Sequence, residues 1–123
     1  MPELPEVETT VRGLARILEG ERIARVETRR AGLRRAFPED LVQALTGARV
    51  TGLSRRAKYG LVHTDRGRTL VFHLGMSGRW RIDPGTLGKH DHLFLETALH
   101  RLAFNDALRF GSFDLVAYVA LDA

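Results

Sequence analysis

Apolar side chains recur at helical spacing through the first eighteen residues. A helix turns about 100° per residue, which places six apolar residues in one stripe about 100° wide: Leu4, Val7, Val11, Leu14, Ala15 and Leu18. A proline in a first helical turn costs no hydrogen bond, and acidic residues there suit the helix dipole. The pattern predicts a helix that begins within Met1 to Glu6, runs to about Leu18 and ends at Gly20.

Short alternating or apolar segments follow the helix. The residues from Arg22 to Arg30 show the two-residue alternation of a strand. Residues 31–36 are predicted to form a basic loop, and Phe37 to Leu45 a short helix. The almost wholly apolar segment Thr69 to Leu74 predicts a central strand. Strands separated by turns favour a sandwich or barrel over a parallel sheet. The remaining predicted strands are Arg49 to Ser54, Lys58 to Thr64, Arg79 to Ile82, His92 to Thr97, Leu99 to Phe104 and Gly111 to Val119.

The composition narrows the classes of function. The 123 residues are 44% hydrophobic, enough for one domain with a core. No cysteine is present, which excludes disulfides, thiolate metal sites and a thiol nucleophile. The net charge of +4 comes mostly from arginine, a residue suited to phosphates, so nucleic acid is a candidate partner. No apolar run approaches the roughly 20 residues of a membrane span, and we expect a cytoplasmic protein without a membrane partner.

Pro2 gives the N-terminus a candidate chemistry. A small second residue usually permits removal of Met1, which would leave a secondary amine at the N-terminus. The reference pKa of an α-amino group is about 7.7–8.0, so a useful fraction is unprotonated at neutral pH. Such an amine can attack a sugar aldehyde carbon and form an iminium, as lysine does in Schiff bases. Glu3 and Glu6 lie beside Pro2 on the helical wheel, where they could transfer protons. The same residues also suit ordinary helix capping, so on their own they leave both interpretations open.

Five motifs together resemble the formamidopyrimidine-DNA glycosylase family, the bacterial repair enzymes for oxidised purines. They occur in the family's order and at family-like spacing: Pro2 to Thr9, Arg55 to Tyr59, His73 to Gly78, Lys89 to His92 and Arg109 to Gly111. The resemblance implies that residues 1–123 are an N-terminal catalytic domain. The implied fold is mainly β with helices: a two-sheet antiparallel β-sandwich with the N-terminal helix packed along it.

The resemblance also implies base-excision repair of damaged double-stranded DNA by a bifunctional glycosylase and lyase. The damaged nucleotide would be flipped out of the duplex, because its sugar is unreachable within the stack. Pro2 would attack C1′, displace the base and form the Schiff base that permits elimination of both phosphates. Glu3 would be its acid–base partner, Glu6 would hold the sugar or stabilise its charge, and Lys58 would reach the damaged site and its phosphate.

Other residues match the family's DNA-binding positions. His73 and His90 match residues that face the DNA backbone. Met76 and Phe110 match apolar wedges, which fill the gap left by the flipped base and separate the bases opposite it. Arg109 matches the basic residue that precedes the second wedge.

The loop before Phe110 departs from the family pattern. Leu108 stands where the family normally has an arginine, and Ala107 stands where a proline usually follows Asp106. Leucine cannot hydrogen-bond the orphaned base opposite the lesion. The sequence therefore places reading of the opposing base in doubt. Leu108 either extends the apolar wedge or turns inward to fill core.

Family members continue with a helix–two-turn–helix domain and usually a four-cysteine zinc finger, and neither occurs in this sequence. We expect a fragment rather than a naturally short protein, weakly active or inactive by itself because phosphate contacts dominate DNA affinity. We expect a monomer without a cofactor. The spacing of His90 and His92 could suggest a metal, but Asp91 between them and the lack of cysteine argue against one.

Two other functions remain open. One is a DNA-binding or scaffold module that kept the fold and lost turnover. The other is a sister glycosylase for oxidised pyrimidines, which shares the proline chemistry. Leu4 and the run from Arg55 to Tyr59 favour the purine enzymes.

Overall fold

The N-terminal helix begins the part of the chain that the structure, a computed structural model, describes: residues 4–29 and 32–117. Helix α1 spans Leu4–Leu18, and Gly20 follows it with a φ of 82°, as the sequence predicted. Val7, Val11, Leu14 and Leu18 are buried. Leu4, predicted in the same stripe, is 42% exposed, because periodicity selects a helix face whereas burial also requires a partner beneath each turn.

A short helix and eight strands complete the elements found within the described residues. Helix α2 spans Leu41–Leu45. The strands are β1 (Arg25–Thr28), β2 (Val50–Arg56), β3 (Tyr59–Thr64), β4 (Arg68–His73), β5 (Arg79–Ile82), β6 (Asp91–Glu96), β7 (Arg101–Asn105) and β8 (Ser112–Ala117).

The strands form two four-stranded sheets, which confirms the predicted sandwich. One sheet has the order β1-β6-β7-β5 and the other β2-β3-β4-β8, and every pairing is antiparallel. Strand β4 lies inside its sheet, as its apolar sequence predicted. Helix α1 packs along β2 and β3. In residues 4–29 and 32–117, neither helix has the length and apolar character needed to cross a membrane.

The core between the sheets contains a cluster of four aromatic rings. Phe72, Trp80, Phe104 and Phe113 meet edge-on or tilted, with the Phe104 and Phe113 centroids 4.8 Å apart and those of Trp80 and Phe104 5.3 Å apart. Such edge-to-face pairs add to the stabilisation that burial provides. The cluster joins both sheets, since β4 and β8 belong to one and β5 and β7 to the other.

The predicted strand at Arg22 to Arg30 was too long. Ile23 and Val26 are both buried, a spacing of three that one straight strand cannot provide because its side chains alternate. The chain instead changes partner within this segment. Ile23 exchanges backbone hydrogen bonds with Gly47 and Ala48, whereas Arg25–Thr28 pairs with β6. Residues 22–24 thus link the first sheet to the start of β2.

The predicted helix at Phe37 to Leu45 was also too long, since α2 begins only at Leu41. Phe37 is buried beside Phe113, their ring centroids being 5.9 Å apart, which favours packing of this residue over a helical turn. Asp40 precedes the helix with a non-helical ψ of 11°. The capping residues in the sequence indicated a helix without setting its first turn.

A substitution at Gly60 tests the contact between β3 and the aromatic cluster. A Cβ at Gly60 would collide with the ring of the fully buried Phe72, so Gly60→Ala should lower the free energy of unfolding by about 1–3 kcal/mol. Gly13, within α1, has open space around it, so Gly13→Ala should instead raise stability by about 0.5–1 kcal/mol. Urea unfolding of both variants measures the difference. Equal stability of the two variants would contradict this packing.

Candidate functional site

Several connections meet at one end of the sandwich. The turn between β2 and β3 lies there because Tyr59 pairs with His73, the last residue of β4. His73 also pairs with Ser112, which begins β8. Asn105, at the end of β7, pairs with both Arg79 and Asp91, which begin β5 and β6. Most of the predicted site residues therefore lie around a single edge of the molecule.

The start of helix α1 is directed to this same end. Glu8 forms an ion pair of 3.1 Å with Arg55 near the end of β2, and a second of 3.3 Å with Arg12. At the other end of the helix, Gly20 donates to the Val50 carbonyl at the beginning of β2. The hydrogen bond from Arg55 is the main cause that lowers the pKa of Glu8, which keeps this carboxylate charged. Glu6 is exposed in the first turn. Pro2 and Glu3 lie outside the described residues.

His73 is a half-buried ring at the end of β4. Its Nδ1 accepts a hydrogen bond of 3.0 Å from the Gly75 N–H, so the proton of the neutral ring lies on Nε2. Burial first, and then the charges of Lys58 and Arg34, lower its pKa. His73 thus presents a neutral N–H donor, while Lys58 supplies positive charge close to it.

The turn that carries Lys58 is shaped by its neighbours. Ala57 has a φ of 51°, a left-handed conformation that is uncommon without glycine. The Arg55 guanidinium donates to the Ala57 carbonyl at 2.8 Å and holds the turn in place. Lys58 is half-buried, and Tyr59 follows it with its ring edge-on to His73, 5.1 Å between centroids.

A basic groove of about 360 Å³ lies beside these residues. Its lining combines aromatic and polar side chains with two arginines: Arg34, Arg35, Tyr59, His73, Phe110 and Ser112. Arg35 is held by Asp114 through two hydrogen bonds of 2.8 Å. The sequence indicated a basic loop here, but gave no sign that it would lie against Tyr59 and Phe110.

Three large apolar side chains are exposed on two neighbouring loops. Met76 is 57% exposed, Leu108 53% and Phe110 46%. The Leu108 N–H donates to Ser77 Oγ at 3.0 Å, which places the loop of Leu108 beside that of Met76. Leu108 therefore faces outward, and an exposed patch of this kind commonly marks a binding surface.

The two loops approach so closely that glycine is required at their contact. A Cβ on Gly75 would lie 2.5 Å from the Phe110 carbonyl carbon, and Gly75 has a φ of 63°. A Cβ on Gly111 would lie 2.8 Å from both the His73 carbonyl oxygen and Asp106 Oδ2. Glycines beside Met76 and Phe110 therefore allow the loops to approach one another.

Arg109 lies between the two exposed residues of its loop. It has a φ of 60° and is half-buried, and its Nη2 donates to the Gly32 carbonyl at 2.7 Å. This contact ties the loop to the basic segment near Arg34. Asp106, fully buried at the start of the loop, accepts hydrogen bonds from both loops, and sequence reasoning missed it. Its only signal in the sequence was an acidic residue four positions before Phe110, which a glycine follows.

The motif Lys89 to His92 divides into surface and interior. Lys89 is exposed and His90 half-buried, whereas Asp91 and His92 are almost fully buried. His92 Nε2 donates to the Asp106 carbonyl at 2.9 Å. Within residues 4–29 and 32–117, no group of three or more acidic or histidine side chains could hold a metal ion. A four-cysteine zinc finger does not fit these 123 residues, which contain no cysteine.

Asp91 is a structural carboxylate at the start of β6. Burial alone would raise its pKa, but hydrogen bonds from the Gly88 N–H and Asn105, with the Arg81 charge, lower it overall. The Gly88 bond is 2.6 Å, the Asn105 bond 3.0 Å and the Arg81 bond 2.5 Å. This network fixes the strand ends beneath His90.

Comparison with known proteins gives consistent matches. The sequence model of the formamidopyrimidine-DNA glycosylase N-terminal domain matches residues 1–113. A formamidopyrimidine-DNA glycosylase of Novosphingobium aromaticivorans is 75% identical over 117 residues, which are 94% of this chain and 43% of that protein.

Solved structures of related proteins have the same fold. Lactococcus lactis Fpg in complex with DNA containing N7-benzyl-Fapy-dG has a TM-score of 0.89 at 34% identity, covering 98% of this chain and 45% of that one. The same protein with DNA containing an abasic site has a TM-score of 0.89 at 33% identity, covering 98% and 46%. This chain spans less than half the length of these relatives.

The environment of His73 can be tested by titration. Its ring pKa, followed by NMR, should lie below the ordinary histidine value, because burial and nearby cations disfavour the charged ring. Lys58→Met should raise this pKa but leave it below the ordinary value, since burial remains. Arg16→Met, in the last turn of α1, is the control and should leave it unchanged. A wild-type midpoint at or above the ordinary value would contradict the described environment.

Proposed function

This chain belongs to the formamidopyrimidine-DNA glycosylase family, as its motifs predicted, and from that premise we propose that it supplies a catalytic domain for base-excision repair of damaged double-stranded DNA. The proposed activity is a glycosylase and lyase acting on oxidised purines. The observation that carries the proposal is the convergence at one end of the sandwich of the start of α1, His73 and the exposed apolar loops.

The proposed nucleophile is the secondary amine of Pro2, exposed by removal of Met1. Its lone pair would bond to C1′ of the flipped nucleotide while the glycosidic bond breaks and its electrons leave with the base. Glu3 would transfer the protons, and Glu6 would stabilise the charged sugar. Support comes from the opening motif and from the Glu8–Arg55 ion pair, which directs the first turns of α1 to the loop end.

Lys58 and His73 are proposed to bind phosphates beside the flipped nucleotide. The side chains lie close enough for the Lys58 charge to lower the His73 pKa. A neutral ring with its proton on Nε2 donates a hydrogen bond without charge, and Lys58 supplies the electrostatic attraction. His90 and Arg109, on neighbouring connections, would extend this backbone contact.

The exposed apolar side chains are proposed to occupy the space that the flipped nucleotide leaves. Met76 and Phe110 would be inserted between bases, a known means of kinking DNA. The exposure of both side chains supports this role. Leu108 would add to the wedge an apolar surface without hydrogen-bond donors.

The wider context of the domain is part of the proposal. We propose a cytoplasmic monomer whose DNA affinity is completed by a helical domain and a zinc finger, as in the family. Contacts from such parts would matter because neutralised phosphates supply most non-specific DNA affinity. The 123-residue chain should accordingly bind duplex DNA weakly and with strong salt dependence.

Borohydride trapping on abasic-site duplex DNA tests the nucleophile. The chain that begins at Pro2, verified by mass, should form a covalent adduct, because borohydride reduces the iminium. The matched control retains one extra residue before Pro2 and should not trap. Trapping by both forms would refute Pro2 as the nucleophile, whereas trapping by neither would favour a DNA-binding module without turnover.

The Leu108→Arg variant tests the departure in the wedge loop. It should raise duplex affinity and steepen the salt dependence by about one unit of the log–log slope, if the added charge neutralises one phosphate. It should also introduce preference among the four bases opposite the lesion, because arginine can donate to a base edge. The control Ala107→Arg adds the same charge at the neighbouring exposed position and should raise affinity without that preference. An unchanged opposing-base profile in Leu108→Arg would show that this position does not read the base.

A further inference from the structure

We propose that Asp106 is a positioning residue whose buried carboxylate couples two loops, residues 74–78 and 106–111, so that they move together. The first loop carries Met76 and the second carries Leu108 and Phe110. The coupling itself is a property of this fold. Its importance for DNA rests on the function proposed above, in which these side chains are the wedges.

Asp106 contacts both loops through different oxygens. Its Oδ1 accepts hydrogen bonds from Ser77 Oγ at 2.6 Å and from the Arg109 N–H at 3.1 Å. Its Oδ2 accepts from the Gly111 N–H at 2.8 Å. The residue is fully buried, where each of these bonds gains strength and where losing one leaves a polar group unsatisfied.

Ser77 completes the link. Its hydroxyl donates to Asp106 and accepts from the Leu108 N–H at 3.0 Å. One side chain of the first loop therefore closes a ring with two residues of the second. The N–H groups of three residues around the exposed patch are satisfied through this pair: Leu108, Arg109 and Gly111.

Asp106 is itself anchored to a strand. Its N–H donates to the His90 carbonyl at 2.9 Å, and its own carbonyl accepts from His92 Nε2 at 2.9 Å. The close approach at Gly75 and Gly111 leaves no room for a side chain at either position. A displacement of either loop must therefore break a bond to Asp106 or move the other loop with it.

Amide hydrogen exchange in the 123-residue chain tests the coupling without DNA. Ser77→Ala should speed exchange of the Gly111 amide by about tenfold, although Ser77 does not bond to it, because Asp106 loses a partner that fixes its carboxylate. Ser77→Thr keeps the hydroxyl and should restore slow exchange. Thr64→Val removes a comparable hydrogen bond, from Oγ1 to the Arg68 carbonyl, away from these loops and should leave Gly111 unchanged. Faster exchange confined to residues 74–78 and Leu108 would overturn the coupling.

The ratio of trapping on duplex to trapping on single-stranded abasic DNA tests the consequence for binding. Wedges act only where a second strand must be held apart, so Ser77→Ala should lower this ratio by about tenfold. Ser77→Thr and Thr64→Val should retain the wild-type ratio, whereas a general loss of stability would lower both yields together. If Ser77→Ala speeds amide exchange in both loops but leaves this ratio unchanged, the positioning role is refuted. If no form traps but the exchange result holds, the proposed function fails and the coupling stands.

Discussion

Four aromatic rings between the sheets fix the positions of the loops at the candidate site. Phe72 comes directly before His73, Trp80 follows the loop that carries Met76, and Phe104 and Phe113 flank the loop of Phe110. Their edge-on contacts leave so little space that a Cβ on Gly78 would lie 2.6 Å from Phe104 Cζ. A close-packed interior transmits small displacements instead of absorbing them. The geometry of the site therefore depends on the core directly beneath it.

Two buried carboxylates lie in the interior beneath the site, whereas cations lie nearer its surface. Asp91 and Asp106 are buried and accept several hydrogen bonds each. Asp91 thereby holds strand ends in place, and Asp106 holds loops in place. The cations near the groove, among them Lys58 and Arg34, lie nearer the surface. This arrangement places the carboxylates of Asp91 and Asp106 inside the protein and the charges of Lys58 and Arg34 towards the face proposed to meet phosphates.

Sequence reasoning succeeded where one local pattern determined the outcome. Strand β5 was predicted with its observed bounds because Gly78 and Asp83 terminate a short alternating run. The role of Asp106 could not be predicted, since its partners Ser77 and Gly111 are brought to it only by the packing of two sheets. The interior position of His92 was hidden for the same reason. The roles of Pro2 and Glu3 still stand on the resemblance of the motif.

The partner change at residues 22–24 has a consequence for how this domain behaves in concentrated solution. By joining the first sheet to the start of β2, this segment pairs the backbone N–H and carbonyl of Ile23 within the molecule, so neither group can bond to another chain. Among the described strands, the sheet edges are β1 and β5 in the first sheet and β2 and β8 in the second. Strand β5 is short and carries two arginines in four residues, and the ion pair of Arg35 with Asp114 lies over β8. Edges that are short or carry charge resist strand-to-strand pairing between copies, so β5 and β8 are poor templates for aggregation.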